Sequence, residues 1–86
     1  MKHISILLPQ RAILGSIEGP RQLLAQVNQF FQSKGEKPMF HIQLVGFQKE
    51  IPLSGGAFTA HANVLIDEVE KTDLIIIPAV DGDPAE

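Results

Sequence analysis

Residues 73–86 read DLIIIPAVDGDPAE, and the fold turns on them. Leu74, Ile75, Ile76 and Ile77 form an unbroken apolar run, opened by Asp73 and closed by Pro78. A short apolar run bounded by a turn former reads as a strand buried on both faces, the kind found inside a parallel sheet. In the tail that follows, Asp83 suits an N-cap, Pro84 the first helical position and Glu86 the third, so these residues read as a capping box opening a helix. A mid-sheet strand needs neighbours on both sides, and one left at an edge exposes backbone groups and isoleucines to association. The pattern therefore predicts more sheet than these 86 residues encode. The expectation is the N-terminal part of a larger α/β domain, with self-association along the strand edge from Asp73 to Pro78 as the simplest way to cover that edge.

Upstream, Ile4 to Leu8 is a second short apolar run, ended by Pro9. Residues 10–19 carry two glycines and predict a loop, with Pro20 at the first helical position. Leu23, Leu24, Val27, Phe30 and Phe31 then recur at helical spacing, with glutamines between them. Lys34 suits the negative end of the helix dipole and Gly35 a C-terminal stop, so a helix is predicted over 20–34. The alternation of Phe40, Ile42 and Leu44 predicts a strand over 40–46. Two short extended pieces about Gly55-Gly56 predict a β-ribbon, with Pro52 confining the first piece to an edge. Asn63 is a candidate cap for a short helix carrying Leu65, Ile66 and Val69. The last strand is expected over 73–77. Strands separated by helical crossovers imply an α/β fold with a parallel sheet. The predicted strand order is 2-1-3, as in an incomplete flavodoxin-like sheet, with helices and the short ribbon attached.

Composition limits function further. Hydrophobic content of 44% and charged content of 20% place the chain among globular sequences. The formal charge is −3 and the seven Lys and Arg are scattered, which argues against these residues gripping nucleic acid or an anionic membrane by themselves. With no cysteine there is no disulfide, thiol nucleophile or cysteine-based zinc site. The apolar stretch at the N-terminus is too short for an export signal or a membrane span, so a cytoplasmic location is expected.

Ile4 to Leu8, then SIEGPRQLLAQVNQF, FHIQLVG and VLIDEVEKTDLIIIPAVDGD, in this order and spacing, resemble the ThiJ/PfpI-like domain of the class I glutamine-amidotransferase-like superfamily. More narrowly, they are similar to the version at the N-terminus of AraC-type transcriptional regulators, in which Gly-Pro starts the first helix and an Asp opens an apolar strand ending in Pro. Gly19-Pro20, Asp73 and Pro78 match. The resemblance implies a domain that senses a small-molecule effector and dimerises, with DNA bound only through a separate helix-turn-helix domain. Enzymatic members carry an acidic residue near the position of Ser16 and a nucleophilic Cys on a later elbow; here Glu18, two residues on, is the nearest acid, and the elbow would lie beyond Glu86, so the nucleophile is absent from these residues. Enzymes of the family also tend to have Gly-Gly after the strand-ending Pro, where this chain has Ala79-Val80. Both departures imply a non-catalytic role with no cofactor. The alternative implied by the same family is the front half of a thiol-dependent hydrolase or lyase.

Ligands of open parallel sheets bind beyond the carboxyl ends of the strands. Ser16, Glu18, Asp81 and Asp83 are therefore the candidate ligand-binding residues, expected to converge where the first and last strands end. Glu18 equally suits a helix N-terminus, and Ser16 a turn, without any ligand. Asp81, Asp83 and Glu86 lack the fuller ligand set of a calcium loop. Arg11 and Arg21 suit an anion but read first as solvated surface cations. His3, His41 and His61 show no metal-like spacing. A phosphorylatable receiver domain is set aside because no acid pair follows the first strand.

Overall fold

In the computed structural model, which describes residues 1–80, the alternation of Ile4, Ile6 and Leu8 becomes the middle of a parallel sheet. Strand β1 (Lys2–Leu8) pairs along its whole length with β2 (Phe40–Gly46) on one side and with β6 (Leu74–Ile76) on the other. Between β2 and β6 in the chain lie β3 (Glu50–Leu53), β4 (Phe58–His61) and β5 (Val64–Leu65). The sheet order is β5-β2-β1-β6, while β3 and β4 form a separate antiparallel ribbon. The α/β class and the ribbon are as expected. The order differs from the predicted 2-1-3, because a fourth strand lies outside β2.

That fourth strand replaces the helix expected after Asn63. The Asn63 carbonyl oxygen Oδ1 accepts the Leu44 N–H at 2.7 Å, and the Asn63 N–H donates to the Leu44 carbonyl at 2.8 Å. An oxygen spent on the β2 edge cannot cap a helix, so Val64 and Leu65 join the sheet instead. Only a 3-10 turn, Ile66–Glu68, follows.

Helix α1 (Leu14–Ser33) also departs from expectation. It begins well before Pro20, which lies inside it, so residues 10–19 are mostly helix rather than loop. Proline removes one helical hydrogen bond and crowds the carbonyl four residues back, that of Ser16. Gly19, with no Cβ, relieves the clash that a proline ring imposes on the residue before it. The first turns persist because they bury Ile17, which is 2% exposed, against Leu8 and Ala12. The helix ends as predicted, with Gly35 at φ 78° and its N–H donating to the Gln32 carbonyl at 3.0 Å. Asn28 docks the helix on β2 by bonding both the N–H and the carbonyl of Phe40, each at 2.8 Å.

Helix and ribbon lie on one face of the sheet. Ile6, Leu8, Ala12 and Ile17 pack there with Ile51 and Leu53 of the ribbon. Gly46 leaves room for the chain that leads into the ribbon: a Cβ there would sit 2.6 Å from the Gln48 carbonyl oxygen and 2.9 Å from Ile51 Cδ1. The other face is crossed by residues 66–73, held by polar bonds. Ser5 Oγ donates to Thr72 Oγ1 at 2.8 Å, and Gln43 Nε2 donates to Ser5 Oγ at 2.9 Å. Among the described residues, no helix is long and apolar enough to cross a membrane.

Candidate functional site

The ends of β1 and β6 meet as neighbours. The Ile13 N–H donates to the Ala79 carbonyl at 2.9 Å, and Ala12 bridges Val80. Ser16 lies at this junction, two residues into α1. Its hydroxyl donates to the Ile13 carbonyl at 2.7 Å and accepts the Ala79 N–H at 3.1 Å. It therefore works as a clasp between the helix start and the exit of β6, with its donor and one lone pair already used.

Glu18 does not join Ser16. A step of two residues turns roughly 200° around a helix, so the two side chains leave opposite sides of α1. Glu18 instead receives the Arg21 guanidinium through both Nε and Nη2, the latter at 2.8 Å, and Gln22 Nε2 at 3.2 Å. The Arg21 hydrogen bonds hold the Glu18 carboxyl below its usual range and push Arg21 up. Asp81 and Asp83 lie outside the described residues. Of the four residues expected to share one crevice, the first two, Ser16 and Glu18, thus leave opposite sides of α1.

The space beside Glu18 is a cleft of about 520 Å³ between α1, β2 and β4. Its floor is apolar, from Leu14 and Ile17 of the helix, Ile42 and Leu44 of the sheet, and Ala60 of the ribbon. Its rim is polar, with Glu18 and Arg21 on one side and Thr59, His61 and Asn63 on the other. This volume is within the range of about 300–1,000 Å³ typical of small-molecule sites, and a mostly apolar lining with a few polar groups is their usual chemistry. Glu18 and Arg21 were legible as candidates. Thr59, His61 and Asn63 were not, because only the packing of the ribbon beside α1 brings them there.

Two other places hold chemistry-bearing groups. A cavity of about 730 Å³ lies between the loop after β1 and the ribbon tip, where Arg11 (φ 67°) and Ser54 (φ 54°) adopt left-handed backbone. It is lined by Ala12, Ile13 and Pro52 together with Ser54, Gly55 and Gly56 of the ribbon tip. On the opposite sheet face, the parallel register sets His3 beside His41, with ring centroids 5.1 Å apart. Asp73 accepts the His3 N–H at 2.8 Å, and this bond lowers its carboxyl. Among the described residues, no group of three or more His, Asp or Glu is arranged to hold a metal ion.

No protein-family model matches the chain. No curated protein matches it either.

Proposed function

We propose that this chain is a non-catalytic sensing and dimerisation domain of the kind its motifs resemble, the ThiJ/PfpI-like domain of AraC-type regulators. Its effector is a small amphipathic molecule. On this reading the sheet is the flavodoxin-like part of the domain, and any DNA contact belongs to a separate domain. The observation that carries the reading is the cleft beside Glu18, whose apolar floor and paired polar rim suit a ligand with an apolar body and one polar end. One further point supports a binding role over catalysis. The one hydroxyl placed at the carboxyl end of β1, that of Ser16, is engaged by Ile13 and Ala79.

An NMR titration of the labelled chain tests the reading, using small alcohols, amides and short-chain carboxylic acids as probes. Binding should shift the signals of Leu14, Ile17, Ile42, Leu44 and Ala60 together. Leu44→Trp, which fills the floor, should remove the response while the fold persists. Absence of any response, or shifts confined to the cavity at Arg11 and Ser54, would overturn the cleft as the sensing site.

A further inference from the structure

We propose that the outer edge of β6 pairs with β6 of a second copy of this chain, antiparallel about a two-fold axis centred on Ile75. The inference rests on the sheet topology and not on the ligand cleft. β6 is a terminal strand of its sheet. Leu74 and Ile75 are each 52% exposed and Ile77 is 74% exposed. Exposed edges are ordinarily guarded by charged side chains, yet residues 74–80 carry none.

Charge and size together favour a second copy. Antiparallel pairing centred on Ile75 sets Asp73 of one copy against Ile77 of the other. The two Asp73 carboxylates then stand at opposite ends of the ribbon, roughly 13 Å apart at the strand rise. That separation exceeds the Debye length of about 8 Å at physiological salt, so they do not repel appreciably. Ile75 of one copy stands directly opposite Ile75 of the other, and each Ile77 lies diagonal to the other copy's Ile75 on the same face of the joined sheet. The patch is small: each copy offers an area on the order of the 300–600 Å² found for the largest patch on a typical monomer. Two such patches bury less than about 1,200 Å² in total, which sets the expected dimer in the weak, reversible class.

Sedimentation equilibrium on the full chain, from micromolar to millimolar concentration, should show a monomer–dimer equilibrium. The register makes a charge test possible. Ile77→Asp places a carboxylate against Asp73 of the second copy, whereas Ile77→Lys places an ammonium there. The lysine variant should dimerise about tenfold or more tightly than the aspartate variant, and the order should fade at high salt. Ile75→Cys should cross-link to itself on oxidation, since the chain has no other cysteine. Circular dichroism of each variant checks that it is folded. The proposal is overturned if the chain stays monomeric throughout, if the two Ile77 variants behave alike, or if Leu23→Lys on the exposed side of α1 abolishes the dimer instead. None of these outcomes bears on the cleft titration: a chain that stays monomeric removes the dimerising part of the proposed function and leaves its sensing part to be decided by the titration.

Discussion

Glu18 illustrates how a residue's chemistry is set by its neighbours. Sequence alone placed a carboxylate near a helix start, where it suits either the helix dipole or a ligand. The structure gives it a third role, gripping Arg21 three residues on. Because its folded carboxyl titrates below the ordinary value of 4.5, the pair contributes stability that is complete above that value. The contribution is lost as pH falls through the lowered folded value. Asp73, held by the His3 N–H, adds a contribution of the same sign. Glu18→Gln should therefore lower stability slightly at neutral pH, where the pair's contribution is complete, converge with the parent chain in acid, and so flatten the plot of unfolding free energy against pH below about pH 5. Both side chains are more than a third exposed or nearly so, which keeps the effect under about 1 kcal/mol. Urea titrations at stepped pH measure it, and an unaltered acid limb would mean that the ion pair is not populated.

At the scale of elements, α1 and the segment after Asn63 show opposite failures of local rules. Pro20 is a good first helical residue, so local propensity starts the helix there. Burial of Ile17 and the Ser16 clasp on Ala79 reward an earlier start, and tertiary contacts override the proline. Pro20→Ala should restore the missing hydrogen bond to the Ser16 carbonyl and stabilise the protein by roughly 1–3 kcal/mol, since an interior proline costs a helix about 3 kcal/mol. Chemical denaturation decides the matter, because a proline at the helix start would yield no gain on replacement. After Asn63 the reverse holds. Local signals favour a helix, but Leu44 offers an unpaired strand edge, and two backbone-matched bonds to Asn63 win. No local window contains Leu44 and Asn63 together, so this outcome was not legible from the segment itself.

For the whole molecule, stability is centred on β1. It is one of two strands with a partner on each side, the other being β2, and its Ile4, Ile6 and Leu8 are all nearly inaccessible, at 3%, 0% and 1% exposure. The opposite face is held by a short polar strap rather than a helix, and β5 contributes only two residues to the ladder. Local opening is easiest where apolar contacts are few. Hydrogen exchange should accordingly find the slowest amides in β1 and the adjoining part of β2, and much faster exchange in β5 and residues 66–73. Equal protection across all six strands would contradict this ranking.

The sequence by itself determined the class of fold, the positions of β1, β2 and the ribbon, and the end of the helix at Gly35. These features depend on short-range patterning: alternation, apolar runs and turn residues read within a few positions. It also marked the 74–77 segment as a strand too apolar for an edge, and the structure leaves that strand at an edge with its isoleucines exposed. Only the tertiary structure decided where α1 begins, that Asn63 stitches a fourth strand to the sheet, and which side chains surround Glu18. Each depends on groups far apart in the chain whose hydrogen bonds and buried area outweigh local preference, and that competition is settled only when the sheet assembles.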